Sequence, residues 1–159
     1  MTPSVQTRLD EQAAAEVVVA YALALDSRDW TLFQSLFEDE VEIDYSSLGA
    51  TVGRFPAKEW ADRCRVLGAF DATHHKVCNF TFAREDEGIV VTSYIDAAHF
   101  IQADGRLLEA YVLGVYQHHL LRRGAEWRIA KCVLTVSGYP GGRDAFTAAF
   151  AAARGVFTA

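Results

Sequence analysis

No C-x-x-C pair, no basic run and only three prolines occur in this chain, and each shortage excludes something. Its three cysteines, Cys64, Cys78 and Cys132, are odd in number and widely spaced, so neither a disulfide framework nor a cysteine zinc site is expected. They read as small buried hydrophobes. With 15 Lys and Arg against 21 Asp and Glu, the net charge is −6, and no cationic stripe exists to neutralise a phosphate backbone or an acidic bilayer. Nucleic acid and membrane are therefore not expected partners. No uncharged apolar run approaches membrane-spanning length, and "MTPSVQTRLDEQ" lacks an apolar signal core, so a cytoplasmic, soluble protein is expected.

What is present is apolar: 51% of the 159 residues are hydrophobic and 12% aromatic, with no low-complexity tract, which suits one well-packed domain over residues 1–159. Residues 6–25 carry Leu9, Ala13, Val17, Ala20, Tyr21 and Ala24 at helical spacing, predicting a long amphipathic helix. Asp29 before Trp30 is an N-cap candidate for a shorter helix bearing Leu32, Phe33, Leu36 and Phe37, with Asp26 in the intervening turn. From Val41 the period falls to two, placing Val41, Ile43 and Tyr45 on one strand face. A loop containing Gly49 and Gly53 leads to Pro56 and a third helix of about three turns. Residues 74–83, 89–101, 106–122 and 126–137 then read as four long strands, followed by a C-terminal tail, 141–159. The pattern is α+β: a cone-shaped, curved antiparallel (mixed) sheet wrapped around the N-terminal helices, enclosing a pocket.

All five histidines fall in the strand region: His74, His75, His99, His118 and His119. Neighbours on a strand point to opposite faces, so His75 shares a face with Val77 and Asn79, and His74 goes with Lys76 and Cys78. His75 is thereby either a satisfied structural histidine or the polar wall of a ligand cavity. His99 shares a small apolar face with Ile95, Ala97 and Ile101 and carries the same two readings; the pocket side of strand 106–122 is ambiguous. Without H-x-H or H-E-x-x-H spacing, no metal is expected, and no cofactor either. Asp26 is a turn residue on its own evidence, and a base-orienting carboxylate if a histidine reaches it.

Several stretches in series, "YALALDSRDWTLFQSLFEDEVEIDY", T-x-H-x-x-x-N in "THHKVCN", "AAHF", "GVY" and "EWRIAKC", make residues 6–140 resemble the SnoaL-like and scytalone dehydratase-like branch of the nuclear transport factor 2-like superfamily. The resemblance implies an α+β barrel with an internal pocket. It also implies that Asp26 pairs with His75 and that Tyr45 helps hold water at a substrate carbonyl. It places Leu25 where scytalone dehydratase has a tyrosine, Val115 and Gln117 at its pocket serine and asparagine, and Ile101 or His99 at its second histidine. The catalytic set so implied is His75, Asp26, Tyr45 and His99, with Asn79, Val77, Val115, Gln117, Leu25 and Ile101 lining the substrate.

The expected function is a cofactor-independent lyase or isomerase, foremost a dehydratase, acting on a small hydrophobic alicyclic, aromatic or polyketide-like molecule. His75 would take a proton from carbon, Tyr45 would stabilise the oxyanion and His99 would protonate the leaving hydroxyl. A non-catalytic binding protein, or an accessory subunit resembling the small chain of ring-hydroxylating dioxygenases, are the alternatives, since fold does not dictate function. A homodimer or homotrimer is expected. Phe146, Phe150 and Phe157 of the tail either pack across such an interface or form a helix closing the chain's own pocket.

Overall fold

A computed structural model of the chain describes residues 3–158. Two helices open it: α1 (Val5–Ser27) and α2 (Trp30–Ser35). Ser4 caps α1 by accepting from the Thr7 N–H at 3.1 Å, and Asp29 caps α2 by accepting from the Leu32 N–H at 2.9 Å. Between them Arg28 takes a left-handed conformation, φ 58°, so the chain reverses and α1 ends. One face of α1, through Ala14, Val18, Tyr21 and Leu25, is buried. Phe33 of α2 packs against the Tyr21 ring at 5.0 Å, closing the helix pair. Burying each such large side chain contributes about 2 kcal/mol.

Six strands follow: β1 (Phe37–Asp44), β2 (Val52–Pro56), β3 (Ala72–Arg84), β4 (Gly88–Ala103), β5 (Arg106–Arg123) and β6 (Glu126–Gly138). They form one sheet in the order β2-β1-β6-β5-β4-β3, parallel only between β1 and β6, as an α+β fold with a mixed sheet requires. Helix α3 (Ala57–Cys64) and a 3₁₀ segment (Arg65–Ala69) lead into β3, and α4 (Arg143–Phe157) ends the described chain. None of the described helices is long and apolar enough to cross a membrane.

Two expectations shift. Phe37 begins β1 rather than ending the second helix, and the stretch read as a loop before Pro56 contains β2. That strand is a short edge with Val52, Arg54 and Pro56 exposed, and its Gly53 and Pro56 hide the strand signal. The tail resolves into α4, whose Phe146 and Phe150 stack at 4.5 Å and lie against Phe70 and His99, so the helix closes the chain's own cavity. Phe157 is exposed.

The β3–β4 register slips between Cys78 and Thr81, where Asn79 takes φ 55°. This bulge breaks the alternation counted from His75, and Asn79 is exposed rather than sharing the cavity face. Asparagine tolerates the left-handed region better than any β-branched residue. Asn79→Val should therefore destabilise the fold by about 1–2 kcal/mol in chemical denaturation, and an unchanged midpoint would show that the bulge carries no such constraint.

Candidate active site

The inward face of β3 carries Thr73 and His75, two residues apart, and both reach the last turn of α1. The Asp26 carboxylate there accepts three hydrogen bonds from them: from Thr73 Oγ1 at 2.8 Å, from the His75 backbone N–H at 2.7 Å and from His75 Nδ1 at 2.7 Å. A carboxylate so bonded fixes the imidazole tautomer, with the proton on Nδ1 and the lone pair on Nε2. Burial alone would raise the Asp26 pKa, but the hydrogen bonds from His75 and Thr73 outweigh it and hold the group below its ordinary value.

Arg28, absent from the expected set, locks this arrangement from behind. Its left-handed backbone caps α1, and its guanidinium donates to the Asp26 carbonyl at 2.6 Å, to Thr73 Oγ1 at 2.9 Å and to the Phe70 carbonyl at 3.1 Å. Thr73 thus accepts from Arg28 while donating to Asp26. The "T-x-H" spacing is a physical unit: alternate strand positions present a hydroxyl and an imidazole to one carboxylate.

His75 forms one wall of an apolar cavity of about 180 Å³ enclosed by α1, α3, the sheet and α4. Beside it stands His99, directly across from Thr73 on β4, the two imidazoles perpendicular with centroids 5.1 Å apart. His99 Nδ1 lies 3.0 Å from the Ala110 carbonyl, which can only accept, so Nδ1 holds the proton. Burial, with the adjacent His75 second, pushes the His99 pKa down to about 3. At neutral pH its Nε2 is an acceptor, so His99 suits a substrate hydroxyl better as hydrogen-bond acceptor than as the expected proton donor.

Three phenols line the cavity further in. Tyr21 and Tyr45 hydroxyls are 2.6 Å apart, Tyr45 also lies 3.4 Å from Cys132 Sγ, and the Tyr116 ring is 5.7 Å from Tyr21. Burial raises the pKa of all three phenols, so they remain protonated donors. Tyr21 and Tyr45 share one proton between them and keep a second for another acceptor.

Of the expected lining residues, Leu25 borders the cavity as anticipated. Ile101 is buried on the His99 face of β4 but belongs to the core beyond the cavity, so of the two candidates for a second histidine position it is His99 that meets the pocket. Val77 packs half-buried against the core and Asn79 lies in the bulge, so neither lines it. Val115 and Gln117 are on the wrong side of β5. The buried alternation runs Ala110, Val112, Gly114, Tyr116, His118, and a one-residue offset sends the expected pair to the outer face. Tyr116 and Val112, neither of them expected there, line the cavity in place of Val115 and Gln117. Cys64 lines the cavity and Cys132 is buried, as small hydrophobes would be, while Cys78 is exposed. Tyr21 was legible as an α1 core residue, one turn before Leu25 on the same face; Trp60 and Arg63 of α3 carried no signal of their own.

A strongly curved mixed sheet closed by helices around a polar-ended apolar cavity defines the architecture of the nuclear transport factor 2-like superfamily. The SnoaL-like domain family model matches residues 6–133, and the chain belongs to that family. An uncharacterised protein of Mycobacterium tuberculosis (strain ATCC 25618 / H37Rv) is 29% identical over 127 residues, covering 79% of this chain and 84% of that one. Among solved structures, a protein from Kribbella flavida superposes with TM-score 0.79 at 23% identity, over 92% of this chain and 98% of the other. One from Novosphingobium aromaticivorans, assigned as a scytalone dehydratase, superposes with TM-score 0.71 at 17% identity, over 84% and 87%. At these identities the structural likenesses speak for the fold.

Proposed function

We propose that the protein is a cofactor-independent lyase, a dehydratase in its leading form, acting on a small hydrophobic β-hydroxycarbonyl compound. One observation carries this reading: the 2.7 Å hydrogen bond between Asp26 and His75 Nδ1, which leaves Nε2 as a base at an apolar cavity. The assignment of a structural neighbour as a scytalone dehydratase points the same way.

In the proposed reaction His75 Nε2 takes the proton from the carbon beside the carbonyl, and the C–H electron pair moves toward the carbonyl as an enolate. A phenol of the Tyr21–Tyr45 pair donates to the developing oxyanion. The enolate then expels the β-hydroxyl, which leaves as water after receiving the same proton back from the His75 imidazolium. Asp26 stabilises that imidazolium, and the low dielectric of the cavity strengthens the pairing. His99 Nε2 accepts from the substrate hydroxyl and orients it. The enzyme ends as it began, with one C–H and one C–O bond replaced by a C=C bond and water.

The test is a panel of cyclic β-hydroxyketones, read by the ultraviolet absorbance of the conjugated enone. Turnover that depends on His75 supports the reading. Binding of the panel without conversion, indifferent to substitution of His75, would favour a carrier of small molecules instead.

A further inference from the structure

A second chamber, of about 620 Å³, adjoins the inner cavity and shares Leu48, Arg63, Phe146 and Phe150 with it. Its chemistry is different. Three arginines, Arg63, Arg143 and Arg154, line it, and among the described residues no aspartate or glutamate does. In a chain with net charge −6 this is a local inversion of sign.

The arginines are not equivalent. Arg63 is partly neutralised by Glu59, 2.8 Å away, and stacks over Phe55. Arg143 and Arg154 make no ion pair within the described residues, and their eleven-residue separation on α4 is close to three whole turns, so they share a face with Thr147 and Phe150. Arg143 lies over the Tyr139 ring at 5.8 Å. A Cβ on Gly49 would sit 3.1 Å from its guanidinium, so this glycine, at φ 78°, leaves the space that lets Arg143 approach the loop bordering both chambers. Two guanidiniums without an ion-pair partner among the described residues thus face a chamber that adjoins the apolar cavity, and Phe146 and Phe150 line both.

We propose that this outer chamber binds the anionic end of the substrate: Arg143 and Arg154 hold a carboxylate or phosphate, while the apolar, reacting part of the same molecule lies in the inner cavity. The inference rests on the inner cavity being the substrate site, and it narrows the substrate class to amphipathic acids or phosphate esters. Guanidiniums match both anions through bidentate hydrogen bonds.

Calorimetric titration with 4-phenylbutanol, 4-phenylbutyrate and 4-phenylbutyl phosphate, which share one apolar body, tests it. The wild-type protein should bind at least one anion about tenfold more tightly than the alcohol, and the preference should shrink with added salt. The tighter of the two anions identifies the headgroup. In the Arg143→Gln/Arg154→Gln double variant, with folding checked by circular dichroism, the preference should vanish while affinity for the alcohol stays unchanged. Equal binding of all three to wild-type protein, no binding of either anion, or a preference that survives in the double variant would overturn the proposal. The readout is binding alone, so a failure of the dehydratase reading would show as lost turnover on the β-hydroxyketone panel with the anion preference intact.

Discussion

His75→Ala is expected to lower turnover of a β-hydroxyketone substrate by about 10²–10⁴-fold while leaving the fold intact. The size follows from what is removed. His75 is the cavity imidazole whose protonated form is paired with a carboxylate, and His99 cannot replace it, because its Nδ1 is committed to Ala110 and its pKa is driven down to about 3 by burial and by His75. Asp26→Asn separates orientation from charge. The amide oxygen can still accept from the His75 backbone N–H in the place of Oδ2, but the NH₂ group then takes the place of Oδ1 and presents donors to both the ring and the Thr73 hydroxyl, which need an acceptor there. The imidazole should then reverse its tautomer and turn a protonated Nε2 toward the substrate, with a loss of kcat approaching that of His75→Ala and a smaller change in KM. Steady-state kinetics on both variants, with circular dichroism as the folding control, decides the matter. Wild-type kcat in either variant would remove the dyad from the mechanism.

How much of this site was legible before the structure differs residue by residue, for physical reasons. Strand parity separated His75 from its neighbour, and His74 is indeed exposed on the outer face. Parity is a local rule that holds until the pairing slips. It therefore served His75, three residues into β3, and failed at Asn79, where a left-handed residue resets the alternation. The resemblance to dehydratases brought Asp26 and His75 together across 49 positions, which no periodicity could do. The same resemblance misplaced Val115 and Gln117 by one residue each, and on a strand one residue is the whole difference between cavity and outer surface.

What Arg28 and Thr73 do was illegible for another reason, although Thr73 is the threonine of the T-x-H stretch. Their roles depend on three-dimensional closure between the end of α1 and the start of β3, and an arginine between Ser27 and Asp29 carries no pattern that distinguishes it from a solvated one. The α+β class was carried by long, strongly periodic segments, whereas β2 was too short and too exposed to announce itself, and the tail left open whether its phenylalanines close an interface or the chain's own pocket.

Acidification from pH 7 to pH 5 is expected to lower folding stability by about 4 kcal/mol, well before the carboxylates titrate. Two buried histidines account for it. His118 is fully buried between the Tyr21 and Tyr116 rings, each 5.0 Å away, with Val91 and Cys132 opposite it on the flanking strands, and neither ring nitrogen has a hydrogen-bond partner among the described residues. Burial, with the charge of His119 second, drives its pKa down to about 3. His99, facing His75, with Asp26 and Arg28 nearby, is lowered to a similar value. In the unfolded chain both return to about 6.5, so the unfolded state binds protons that the folded state refuses. The stability they support is complete above about pH 6.5 and is lost as pH falls toward 3, at about 1.4 kcal/mol per pH unit for each histidine. His118→Leu should halve that slope. It should also raise stability at pH 7 by about 1 kcal/mol, because it replaces two unpartnered ring nitrogens with an apolar side chain among aromatic neighbours. Urea unfolding of wild type and variant at pH 7, 6 and 5 measures both effects. A wild-type stability flat over that range, or a variant with the full wild-type slope, would show that the proton uptake lies elsewhere. For most proteins of 5–15 kcal/mol total stability a loss of this size is a large fraction, so these two buried imidazoles set the acid limit of the fold.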